Sequence, residues 1–134
     1  MSNTVEFIKE RNKELYDAYK NCMRRKEVKS HKDAIRMAVK SKTSRFWISS
    51  FWTYKEILRL KRGKGIMHAR DGRKRMIEKI YEIYTALEQK PEFRKCSPYF
   101  IVSFALQQPA PEFYISYSRA LSIINKMRKN DNRE

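Results

Sequence analysis

Glycine is scarce in this chain. The 134 residues contain three, Gly63, Gly65 and Gly72, all within ten positions of one another. The "GKG" at 63–65 lacks the four-residue spacing and the Ser or Thr of a phosphate-binding loop, so it predicts a flexible linker. Two histidines, His31 and His68, stand far apart with no neighbouring Cys or acidic ligands grouped around either, which argues against a metal centre. The two cysteines, Cys22 and Cys96, form no CxxC pair and predict small core or boundary side chains rather than a disulfide. No apolar run approaches the roughly 18 residues of a membrane helix, and "MSNTVEFIKERNK" lacks the apolar centre of a secretory signal. The expected compartment is the cytoplasm, with no membrane partner.

Acidic residues are also in short supply: fifteen Asp and Glu face thirty-one Lys and Arg, a net charge of +16. Within the basic middle of the chain the carboxylates are Glu27, Asp33, Glu56 and Asp71, at no spacing that suits a metal-dependent nuclease or transposase. No Ser/His/Asp or Cys/His arrangement emerges either. The sequence therefore predicts no catalytic residues, no metal and no cofactor, and a protein that is not an enzyme.

What the chain has in abundance is basic and apolar residues. Hydrophobic residues make up 41% and aromatics 13%, enough for a folded core despite 34% charged residues. The charge is segregated along the sequence. Residues 1–19 hold three basic and four acidic side chains, a net of −1. Residues 20–75 hold nineteen and four, +15, and residues 76–134 hold nine and seven, +2. Fifteen charges in the central stretch repel one another unless a polyanion offsets them, which favours nucleic acid over a merely solubilising surface or an anionic membrane.

Helical periodicity dominates. Val5, Ile8, Leu15, Tyr19, Cys22 and Met23 mark a first helix with an interruption near Asn12. Ser30, three before Asp33, predicts the cap of a second, with Ala34, Ile35, Ala38 and Val39 inward. A third starts at Ser49 or Ser50, turns Tyr54, Ile57, Leu58 and Leu60 inward, and ends at Gly63. Met76, Ile77, Ile80, Tyr81, Tyr84 and Leu87 define a fourth, and Pro91 stops it. "YFIVSFALQ" fits a strand or a helix; Ser97 followed by Pro98 favours a helix start. Ser116 caps a sixth, with Ala120, Leu121, Ile124 and Met127 inward.

The two halves repeat one another. "ELYDAY" at 14–19 matches "KIYEIY" at 79–84, and "RFWIS" at 45–49 matches "EFYIS" at 112–116. The expectation is an all-α fold built by tandem duplication of a three-helix unit. Residues 1–62 would form a basic unit, 63–72 a glycine-containing basic linker and 73–134 a second unit, the two having either separate cores or one shared core. Phe46, Trp47 and Ile48 have apolar counterparts in Phe113, Tyr114 and Ile115 and are predicted to be core. Phe51 and Trp52 have the polar counterparts Ser118 and Arg119, so they are the candidate contact aromatics. The recurring tyrosine pairs Tyr16/Tyr19 and Tyr81/Tyr84 predict packing.

Helix, helix, connection and capped helix in each half resembles a helix-turn-helix module. The resemblance lies in architecture alone, and the connection from Lys42 to Ser49 is longer than the usual turn. It implies a reading helix at 50–62 whose outer face presents Ser50, Trp52, Thr53, Lys55, Glu56, Arg59 and Arg62. The expected nucleic-acid-binding set is Lys42, Arg45, Ser50, Trp52, Lys55, Arg59, Lys61, Arg62, Lys64, Arg70, Arg73, Lys74 and Arg75, with the positive charges mainly on phosphates. DNA is favoured over RNA, and the role expected is that of a small regulator or an accessory factor of a mobile element. The nearly neutral second half would stabilise the first or mediate a homodimer. The rival expectation is a protein-interaction module whose basic face binds an acidic partner.

Overall fold

A computed structural model describes residues 4–66 and 70–132. The described chain is all helical: α1 (Thr4–Met23), α2 (His31–Val39), α3 (Ser50–Lys61), α4 (Asp71–Glu88), α5 (Pro98–Leu106) and α6 (Tyr117–Asn132), with a short 3-10 turn at Pro91–Phe93. The ambiguous apolar run at 99–106 is a helix, and α1 runs through Asn12 without a break.

Serine caps set the starts of four helices. The hydroxyl oxygens of Ser30, Ser49, Ser97 and Ser116 accept from the amides of Asp33, Trp52, Phe100 and Arg119 at 3.1, 3.4, 3.2 and 3.2 Å. Each satisfies one donor that the first turn would otherwise leave bare. At the end of α3 the chain turns through Gly63 at φ +79°, where a side chain would be strained. The Gly63 amide donates to Leu60 and the Lys64 amide to Arg59, the paired bonds of a Schellman closure.

Two compact units result, and they do not follow the order of the chain. The first comprises residues 1–43 and 111–134 and is built from α1, α2 and α6. The second comprises 44–110 and is built from α3, α4 and α5. So α3, which follows α2 in sequence, packs chiefly against α5 and also against α4, while α6 packs against α1 and α2.

In the first unit Leu15, Tyr19 and Cys22 of α1 and Ala34, Ile35, Ala38 and Val39 of α2 are buried with Ala120 and Ile124 of α6. In the second, Ile77, Ile80, Tyr84 and Leu87 of α4 and Ile101, Val102, Ala105 and Leu106 of α5 are buried with Ile57 of α3. Phe46, Trp47 and Ile48 are core, as is Phe113. Cys22 and Cys96 are free thiols. Two predicted orientations on α3 are corrected: Thr53 and Glu56 are buried rather than outward, 0% and 7% exposed. Thr53, Glu56 and Ile57 share one face at i, i+3 and i+4, so the buried stripe of α3 is rotated from the one that Tyr54, Ile57 and Leu58 suggested.

The grouping redistributes the charge. Counted over its sequence, the first unit has seventeen basic and nine acidic residues, a net of +8. The second has fourteen and six, also +8. The contrast of +15 against +2 belongs to stretches of sequence, not to the packed units.

Candidate nucleic-acid interface

Twelve of the thirteen predicted binding residues fall in the second unit; Lys42 falls in the first. Their arrangement depends on how α3 lies on α4. At one end the Arg73 guanidinium sits 5.0 Å from the centre of the Trp52 ring. At the other the Lys61 ammonium lies 2.6 Å from a Glu88 oxygen and 3.5 Å from the Tyr84 hydroxyl. Starts meet and ends meet, so the two helices run in the same direction. Trp52 and Lys61 are nine residues apart, about 14 Å along a helix.

Apart from Arg45 and Ser50, the predicted residues of this unit therefore divide into two groups. Around the starts of α3 and α4 stand Trp52, Lys55, Arg70, Arg73, Lys74 and Arg75. Trp52 is half-buried with Arg73 over its face, and Phe51, 57% exposed, carries the Lys55 ammonium 4.5 Å from its ring centre. Arg70, Arg73 and Lys74 are exposed and, among the described residues, hold no carboxylate. Arg75 pairs with Asp71 at 3.3 Å.

The start of α4 lacks a side-chain cap, in contrast to the four serine-capped helices, because Arg70 occupies that position. Four cations thus stand against one acid where the helix macrodipole is positive, and each unfavourable charge there typically costs about 0.3–1 kcal/mol. Within the fold Arg73 is partly offset by its contact with Trp52 and Arg75 by Asp71, whereas Arg70 and Lys74 hold no carboxylate among the described residues. An anion bound at this end would offset the remainder.

The far end also gathers four cations, Arg59, Lys61, Arg62 and Lys64, against one acid, but there they lie at the end of α3, where the helix macrodipole favours positive charge. Lys61 is engaged by Glu88 and Tyr84, whose hydroxyl donates to Glu88 at 3.0 Å. The hydrogen bond to Glu88 is the main cause that raises the Lys61 pKa, and the bond from Lys61 is the main cause that holds Glu88 below its ordinary value. Burial, helped by Glu88, pushes the Tyr84 phenol up. Arg62 and Lys64 are exposed there. Arg59 is half-buried, and its Nε is buried without a hydrogen-bond partner. Ser50 is half-buried, and Arg45 lies over the Trp47 ring at 5.1 Å while donating to the Phe46 carbonyl at 3.1 Å.

Lys42 belongs to a separate feature. In the first unit an open groove of about 690 Å³ gathers Lys42 with Arg25, Arg36 and Lys40 and also with Glu27 and Asp33. Arg25, Arg36 and Lys40 were not among the predicted contacts. The signal was present in the sequence, since Arg36 and Lys40 are four apart on the outer side of α2.

Among the described residues no three His, Cys, Asp or Glu side chains are grouped to hold a metal ion, and no helix is long and apolar enough to cross a membrane. Compared with known protein families, with curated proteins and with solved structures, the chain matches none.

Proposed function

We propose that the chain is a non-enzymatic nucleic-acid-binding protein, with DNA the favoured ligand, and that the second unit makes the main contact through the starts of α3 and α4. One observation carries this reading: a cluster of cations at the uncapped, positive end of α4, next to two accessible aromatic rings, where they oppose the stability of their own helix. Lys55, Arg70, Arg73 and Lys74 would meet phosphates, and Phe51 and Trp52 would offer apolar contact to bases or sugars. In this reading α3 is the helix of a helix-turn-helix-like unit that faces the ligand, presented by α4 and α5. The recurrence of helix starts and serine caps at an offset of 67, as from Ser30 to Ser97 and Ser49 to Ser116, supports a duplicated three-helix ancestry in which each third helix packs with the other half.

Electrophoretic mobility shift of the full chain against duplex DNA, single-stranded DNA and structured RNA near physiological salt tests it. Saturable binding, strongest on duplex and lost on the double reversal Arg73→Glu/Lys74→Glu, is expected. No saturable binding to any of the three would refute the proposal, and retention by the reversed variant would refute the assigned surface.

A further inference from the structure

Phe100 and Phe104 stand one turn apart on α5 and are 51% and 40% exposed, with Tyr99 beside them 43% exposed. Phe93, from the 3-10 turn, meets Phe104 edge to face with ring centres 5.1 Å apart, and Tyr54 of α3 meets Tyr99 likewise at 5.4 Å. The second unit therefore carries an aromatic ridge along the outer side of a nine-residue helix.

The fold contains its own control for this ridge. The helix α2 has the same length as α5 and docks by buried residues at the same four relative positions: Ala34, Ile35, Ala38 and Val39 against Ile101, Val102, Ala105 and Leu106. At the positions corresponding to Tyr99, Phe100 and Phe104, α2 has Lys32, Asp33 and Met37. Docking a helix of this kind thus does not require aromatic residues on its outer side. Exposed rings in a contiguous group are a liability in water unless a partner covers them.

The surroundings identify the partner's chemistry. Lys90, Arg94 and Lys95 flank Phe93, are exposed and, among the described residues, hold no carboxylate; Glu92 is the one acidic residue of that segment. We infer that the α5 ridge is a docking surface for an acidic amphipathic helix of another protein. Apolar side chains at helical spacing would lie between Phe100 and Phe104, and carboxylates would reach Lys90, Arg94 and Lys95. A second copy of a chain carrying +16 would instead bring these cations against cations. Base stacking is served by open, flat ring faces, whereas the two ring pairs here are turned 64° and 77° to each other, with edges closing faces.

The inference is independent of the nucleic-acid reading and is tested on the full chain by fluorescence anisotropy with three synthetic helical peptides. One has leucines at positions i, i+3, i+4 and i+7 and glutamates elsewhere. The second replaces its leucines by alanine, and the third replaces its glutamates by lysine. The first is expected to bind at least about tenfold more tightly than either control. Phe100→Ser/Phe104→Ser should reduce it to the level of the alanine peptide, with helical content and duplex binding unchanged. Equal binding of the leucine and alanine peptides, or unaltered binding by the double variant, overturns the inference. So does loss of oligo-dT binding in that variant, which would assign the ridge to base stacking. A wild-type dimer in sedimentation that the variant abolishes would assign it to a second copy and overturn the inference as well.

Discussion

The Phe46 amide donates to the Leu106 carbonyl at 2.9 Å, and its counterpart, Phe113, donates to Val39 at 3.1 Å. Each bond ties the segment ahead of a serine-capped helix to the end of a nine-residue helix from the other half of the chain. Both phenylalanines are buried, so the bonds are shielded from water. The grouping of α3 with α4 and α5 should therefore appear in hydrogen exchange. Ile57→Ala, in a fully buried site, should cost about 2–5 kcal/mol and accelerate exchange first in α4 and α5. Ile124→Ala should act first in α1 and α2. The reverse pattern would contradict the grouping.

Arg73 over Trp52 predicts a separable pair of effects on DNA binding. Arg73→Ala should lower affinity on every sequence and reduce the salt slope by about 0.9 for one lost phosphate contact. Trp52→Ala should lower affinity with the slope unchanged, because it removes no charge. Melting curves on the same variants distinguish contact from packing: a Trp52→Ala protein that melts early but whose folded fraction binds normally would make Trp52 structural.

The Lys61–Glu88 pair gives stability a defined pH dependence. Glu88 is depressed below 4.5, so its contribution is present above that value and lost as pH falls through its lower folded value. Lys61 is raised above 10.5, so its contribution is full below that value and lost as pH rises through its higher folded one. Each side chain is about a third exposed, and solvent screening keeps the effect modest. In urea denaturation, the gap between wild type and Glu88→Gln should be widest near neutral pH and narrow below 4.5. A gap that persists into acid would show that the carboxylate's charge is not what stabilises this end.

Tyr16 should be the conspicuous phenol of the first unit. Its hydroxyl donates to Asp131 at 2.5 Å, and that bond, followed by burial, pushes its pKa up to about 12. A raised value favours the neutral phenol in the folded protein, so the contribution is full below pH 10 and is lost between 10 and about 12. The difference between wild-type and Tyr16→Phe ultraviolet titrations should show one phenolate forming near the upper limit. Ionisation at 10 in the folded protein would mean that the bond to α6 is not maintained in solution.

The sequence is most informative where the physics is local. Ser30, Ser49, Ser97 and Ser116 announced four helix starts because a cap needs only its own first turn, and Gly63 announced an end because one residue had to take a positive φ. The inward residues of α2 followed from period and polarity. The candidate interface was legible as composition, a run of cations beside two aromatics, but not as geometry. Nothing in the run showed that α3 and α4 are parallel, so that Arg73 meets Trp52 while Lys61 is drawn off to Glu88.

By itself, then, the sequence determined the helical pattern outside the ambiguous run at 99–106, the four serine caps and the apolar stripe of α2, since these depend on contacts within a few residues. Tertiary structure alone decided which helices share a core. The apolar stripe of α3 resembles that of α6, as Ile57 resembles Ile124, so local pattern cannot tell whether α3 belongs with α1 and α2 or with α4 and α5. Its packing against the latter pair turned a chain with one strongly basic central stretch into two units of +8 each, buried Thr53 and Glu56 on a helix expected to display them, and left the rings of α5 in water.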